Sequence, residues 1–124
     1  MLKEILSDLL KIDDVLFVNK NLGAVSEIKS NSLSIRQKDN WITIGENDGP
    51  CHMHINSDFI KTAEFITEQK PERTSFSVRF FDDKGERILA GFFTKMYDEN
   101  KNLKTHRKKL YDDLLEKYGK KVNF

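Results

Sequence analysis

Two histidines two positions apart, His52 and His54, are the residues whose type and spacing best suit chemistry in this chain. They fall in the run Cys51, His52, Met53, His54, Ile55, which reads as a strand, so both imidazoles project from one face. A neutral imidazole ligates zinc or haem iron, and two on one face can flank a single metal or the edge of a haem. The pair equally fits ordinary polar strand positions, one at a rim and one hydrogen-bonded in a core. Cys51 and Met53 project the other way, and Cys51 reads as a small buried hydrophobe. There is no His-Glu-x-x-His helix, Gly-x-Ser-x-Gly elbow, Walker loop or Gly-x-Gly-x-x-Gly turn, so none of those motif-defined enzyme classes is indicated. The loop over 45–50 lacks the Lys-Ser/Thr and the following helix of a phosphate cradle, and Asp82-Asp83 is a solvated hairpin tip.

Charge offers two further sets. Arg79 and Arg87 fall on predicted strands and suit an anionic group if that sheet face opens as a pocket. They suit cross-strand pairs with Glu64, Glu68 or Glu86 as well. Lys101, Lys104, His106, Arg107, Lys108 and Lys109 make the one local basic excess, interleaved with Asp112, Asp113 and Glu116, which reads as a solvated helix face.

These residues need elements to hold them. Leu2, Ile5, Leu6, Leu9 and Leu10 recur at three- and four-residue spacing and predict an amphipathic N-terminal helix, ended by Asp13-Asp14. Over 15–94 the pattern turns to short β-rich runs forming one antiparallel sheet, with Ser30-Asn31 as a hairpin tip. In the run 75–81, Phe76, Val78 and Phe80 alternate with Ser75, Ser77 and Arg79. With 87–94 it predicts a hairpin closed at Gly85, whose lack of a side chain suits positive φ. The tail over 102–118 is helical on a stripe of Leu103, Leu110, Leu114 and Tyr118, widened by Tyr111 and Leu115, with Gly119 as its cap. The expected architecture is α+β: a large, bent antiparallel sheet of about seven or eight strands flanked by N- and C-terminal helices.

A chain of 124 residues with 38% hydrophobic side chains fits a single domain over 1–124. Its 21 basic and 20 acidic residues leave a net charge of +1, so no global field draws it to nucleic acid. The longest apolar run, Val15 to Val18, is far short of the ~20 residues that cross a bilayer. The first residues, Met1 to Ile5, lack the pattern of a secretory leader, and one cysteine excludes an internal disulfide. A cytoplasmic location is expected, without membrane or nucleic-acid partners. A sheet of this size with two helices leaves an apolar face or edge to cover, and Phe92 and Phe93 point to opposite faces, so a homodimer is expected.

The order of Trp41-Ile-Thr-Ile, Cys51-His-Met-His-Ile, Phe59-Ile-Lys-Thr-Ala-Glu-Phe, Lys70-Pro, Thr74-Ser-Phe-Ser-Val-Arg-Phe-Phe-Asp and Gly85-Glu-Arg-Ile-Leu-Ala-Gly-Phe-Phe resembles one repeat of the haem-utilisation proteins of the HemS/ChuX/HutX kind. The resemblance spans about residues 17–95. It implies a bent antiparallel sheet with helices, and cytoplasmic binding, storage or transfer of haem. It also implies a ligating histidine where this chain carries Ile28, which cannot hold iron. Of the remaining imidazoles, His54 is then the first candidate for the metal and His52 the second, with Arg79 and Arg87 toward the propionates. The ligand would be haem or another flat hydrophobic molecule. The rival expectation is a non-catalytic interaction or structural module that kept the fold and lost the haem site. Haem breakdown ranks below both.

Overall fold

The computed structural model describes residues 1–124. It runs α1 (Leu2–Leu10), β1 (Val15–Lys20), β2 (Val25–Lys29), β3 (Ile35–Lys38), β4 (Trp41–Gly45), β5 (His52–Asn56), a 3-10 turn (Ser57–Phe59), β6 (Thr62–Gln69), β7 (Thr74–Phe81), β8 (Arg87–Phe93), α2 (Thr105–Tyr118) and β9 (Lys121–Asn123). All strand pairings are antiparallel, as expected. The hairpin β7–β8 forms where the alternation places it, with Gly85 at φ +78° in its loop.

The single expected sheet is in fact two, of nine strands rather than seven or eight: six in the order β2-β1-β8-β7-β6-β9 and three in the order β3-β4-β5. The division falls at Ser30, which is a crossing point and not a hairpin tip. Its backbone N–H donates to the Val15 carbonyl (2.8 Å). Its buried hydroxyl donates to the Ile12 carbonyl (2.6 Å) and accepts from the Val15 N–H (3.1 Å). Ser30 thus ends β2 against the α1–β1 corner, and β3 pairs with β4 instead of returning to β2.

The core lies between one face of the large sheet and a layer made of both helices and the small sheet. All five apolar residues of the predicted N-terminal stripe are buried. Phe17, Phe65, Phe76, Val78, Phe80 and Phe93 face them, with Ile42, Ile44 and Ile55 from the small sheet completing the same cluster. Tyr111 of α2 is its hub, edge-to-face with Phe65, Phe76 and Phe93 at 5.6, 5.4 and 5.1 Å between centroids. Each such pair adds about 0.5–1.5 kcal/mol beyond area burial. The Tyr111 hydroxyl donates to the Ser77 carbonyl (2.9 Å), so this ring costs no unpaired polar atom.

α2 is rotated from its predicted stripe. Arg107, Tyr111 and Leu114 are its buried residues, whereas Leu110 is 37% exposed. Spacing 107-111-114-118 is as helical as the expected stripe, but Leu is the more apolar residue and misdirects the reading. Arg107 was read among solvated basic residues and is instead interior.

Asp8 ties the two helices together. Its carboxylate accepts from the Lys117 ammonium at 2.7 Å and from the Tyr118 hydroxyl, and Lys11 lies at 3.6 Å. Burial alone would raise the Asp8 pKa, but the hydrogen bonds and the charges of Lys117 and Lys11 outweigh it and hold the carboxyl below its usual range. Burial and the Asp8 carboxylate push Tyr118 up to about 12. A carboxyl depressed in the folded state stabilises above its unfolded pKa and stops doing so as pH falls through the folded value. Stability should therefore drop as pH goes from about 4 downward, and Asp8→Asn should flatten that acid limb while lowering stability at neutral pH. Urea midpoints at pH 3 and pH 7 check this; a wild-type acid limb unchanged in Asp8→Asn would refute it.

Candidate functional site

The β4–β5 hairpin presents both histidines on its outer face, as period-two alternation requires. Thr43 lies opposite His54 and Gly45 opposite His52 in the register. The two imidazoles stand 5.2 Å apart between centroids, edge to face. Both are solvent-accessible. Thr43, 8% exposed, is hydrogen-bonded through its hydroxyl to His54 Nδ1 at 2.9 Å. This contact orients the ring, and in the tautomer whose Nδ1–H donates to the Thr43 hydroxyl the Nε2 lone pair has no protein partner, as in a metal-ligating imidazole whose other nitrogen is held.

Beside His54 opens a cleft of about 360 Å³, within the usual size range of small-molecule sites. Its wall is apolar, with Met53, Ile55, Ile88 and Leu89 at the base. Trp41 and Phe59, 48% and 64% exposed, stand at its mouth. Two large aromatic side chains left in solvent at one cleft are the signature of a surface made to meet a ligand. Hydrogen bonds hold the turn that carries Phe59: Asn40 Nδ2 donates to Asn56 Oδ1 (3.1 Å) and the Asp58 N–H donates to the same oxygen (3.0 Å). Asn56 thereby caps the turn.

The other predicted residues are elsewhere. Arg79 and Arg87 do not line this cleft. They lie on the large-sheet face that α1 and α2 do not cover, their guanidinium carbons 5.6 and 5.8 Å from the centre of the Phe92 ring. A bulge between Phe80 and Phe81 shifts the β7–β8 register so that Arg87 sits opposite Phe81. Arg79 Nε donates to the Ser77 hydroxyl (3.0 Å), and Glu68 lies 3.6 Å from Arg79. One of the cross-strand pairings open to these arginines is therefore realised. Burial lowers the proton affinity of Arg87, and the charge of Arg79 adds to it. So the four candidates form two groups: His54 with His52, and Arg79 with Arg87.

Cys51 is half-buried in the loop before β5, not packed in the core, because β5 starts one residue later than predicted. His106 is exposed on α2. Ile28 is half-buried opposite Phe17 and packs against the core. The residues missed as a site are Thr43, Trp41 and Phe59. Alternation along 41–45 could have paired Thr43 with His54, but only tertiary structure brings Ile88 and Leu89 to them.

A protein-family model matches residues 3–117 of the chain. No curated protein matches by sequence. Among solved structures, ChuX superposes with TM-score 0.79 at 14% identity, over 94% of this chain and 71% of that one. A protein from Agrobacterium tumefaciens gives 0.77 at 22% identity, over 94% and 66%. Holo-PhuS, a haem-binding protein from Pseudomonas aeruginosa, gives 0.69 at 14% identity, over 90% of this chain and 31% of PhuS. At these identities the superpositions establish a shared fold.

Proposed function

The chain belongs to the ChuX-like haem-utilisation family, and from that premise we propose that it binds haem for storage or transfer, with His54 as the iron ligand. The observation that supports this is the His54 imidazole, oriented by Thr43 through Nδ1 and free at Nε2, beside an apolar cleft with Trp41 and Phe59 at its mouth. One imidazole against an apolar wall suits the axial position of a haem, and a flat hydrophobic ligand is what such a wall receives. His52, one edge-to-face contact away, is the second candidate. Arg79 and Arg87 remain candidates for anionic groups, but on the far face and not in the His54 cleft. We propose the cytoplasm as its setting; separately, no helix is long and apolar enough to cross a membrane.

Haemin added to the purified protein should give a saturable Soret change at stoichiometric ligand. His54→Ala should abolish it, His52→Ala should weaken it, and His106→Ala should leave it intact. No saturable change in the wild type, or an unchanged titration in His54→Ala, sinks the assignment. The rival reading, a module that retained the fold without haem, draws on Ile28: the position where the family resemblance calls for a ligating histidine carries an aliphatic side chain packed toward the core. A wild-type protein inert to haemin would decide for it.

We also propose that the chain folds as one domain and pairs as a homodimer through the large-sheet face bearing Leu16, Ile66 and Phe92, all half-buried. Phe92 and Phe93 do point oppositely, Phe93 into the core and Phe92 beneath the two guanidinium groups. Sedimentation at high micromolar protein should show a species near twice 14.5 kDa, and a monomer there rules the dimer out.

A further inference from the structure

A second cleft, sharing no residue with that of His54, opens at the other end of the large sheet. It measures about 190 Å³ and lies between the β6–β7 turn and the segment that follows β8. Lys70 and Arg73 enter from the turn, and Lys95 enters from the opposite wall. None of its 10 lining residues is Asp or Glu. In a chain of net charge +1, three cations around one small cleft are a local excess that the whole sequence conceals.

The cations differ in their freedom. Lys95 lies 3.3 Å from Asp14, so part of its charge is shared. Lys70 and Arg73 have neither an ion pair nor a side-chain hydrogen bond, and the Ser75 hydroxyl on the same wall has no partner either. Their frame is rigid. The Lys70 N–H donates to the Arg73 carbonyl (2.8 Å), closing the turn. Tyr97 clamps its end, accepting from the Thr74 N–H and donating to the Thr74 carbonyl, both at 3.0 Å. Lys95 itself holds φ +54°, a left-handed conformation uncommon for a residue with a side chain. Two unpaired cations on one wall of a fixed frame, faced by a third that is partly paired, are preorganised for an anion.

The geometry selects among anions. A carboxylate offers two oxygens in one plane, which a single guanidinium satisfies side by side. Donors from two walls, with a hydroxyl added on one of them, match a group whose oxygens point in several directions. We propose that this cleft binds a tetrahedral oxoanion, phosphate or the phosphate of a small ester, through Arg73, Lys70, Lys95 and the Ser75 hydroxyl. Half-buried Tyr97, on the same lining and outside the proposed dimer face, offers a wall for the organic part of an ester.

Isothermal titration in 150 mM KCl with inorganic phosphate and, separately, phenyl phosphate tests this. At least one should bind saturably at one site per chain, at least tenfold more weakly in Arg73→Gln and in Lys70→Gln. Lys20→Gln, on the far end of β1, should bind as the wild type does. Tighter binding of phenyl phosphate assigns an ester, and equal or tighter binding of phosphate assigns the free ion. No saturable binding of either probe overturns the proposal, as does a loss no larger in Arg73→Gln than in Lys20→Gln. Because Arg73 and Lys70 are exposed and unpaired, thermal melts of the variants should match the wild type, separating lost binding from lost folding.

Discussion

Arg107→Ala should lower the free energy of unfolding by about 2–4 kcal/mol, with a fall in Tm of roughly 8–20 °C for a domain of this size. Arg107 is 7% exposed and has no carboxylate partner. Its guanidinium donates instead to backbone carbonyls, Nη1 to Asp13 at 3.0 Å and Nη2 to Asp14 at 3.3 Å. The Asp14 carbonyl also accepts from the Thr94 N–H (3.0 Å) and the Thr94 hydroxyl (2.6 Å). One side chain of α2 thus joins the α1–β1 corner at the place where β8 ends. A buried charge is costly to desolvate and is offset here only by these carbonyls, while its Nε finds no acceptor. Truncation leaves the Asp13 carbonyl without this donor and opens a cavity under α2. Arg107→Lys keeps the charge but cannot span two carbonyls, and should fall between. Urea melts check this: the midpoint should fall with an unchanged slope, and a loss below about 0.5 kcal/mol would place Arg107 with ordinary surface residues.

Arg107 also marks where sequence reasoning stops. Periodicity found α1, the β7–β8 hairpin and the positive φ at Gly85, because each is settled by side chains a few positions apart. It found the shared face of His52 and His54 for the same reason. It did not find the split into two sheets. That split depends on Ser30 meeting Ile12 and Val15, partners 18 and 15 residues away that no local window contains. The buried role of Arg107 rests on contacts 93 and 94 residues distant. The short β9 pairs with β6 through only three residues and has too little pattern to register. The site divides the same way. Residue types placed His54 on a strand, but the cleft needs Ile88 and Leu89 from β8, and the bulge at Phe80/Phe81 puts Arg87 with Phe92. Local pattern chose the candidate ligand, and tertiary packing chose its neighbours.

Gly45→Ala should be the second large loss, about 2–4 kcal/mol, and it should reach the candidate site. Gly45 ends β4 at φ +83°, and a Cβ there would lie 2.4 Å from the Cys51 carbonyl oxygen, a backbone atom that cannot swing aside. The added methyl group meets two penalties: the left-handed conformation, at about 1–2 kcal/mol, and the overlap, which requires the hairpin to open. Gly85→Ala separates them. Gly85 has φ +78°, but a Cβ there meets nothing within 4 Å, so its loss should be confined to the conformational part. The difference between the two variants measures the clash. Gly45 is opposite His52 in the register, and Thr43, two residues back, holds His54. Opening the hairpin to relieve Cys51 therefore moves the strand that orients the imidazole, so Gly45→Ala should weaken haemin binding as well as stability, whereas Gly85→Ala should leave binding unchanged. Equal destabilisation in the two variants would show that the strand end gives way at no cost. Unaltered haemin affinity in a folded Gly45→Ala protein would show that the orientation of His54 does not depend on this turn.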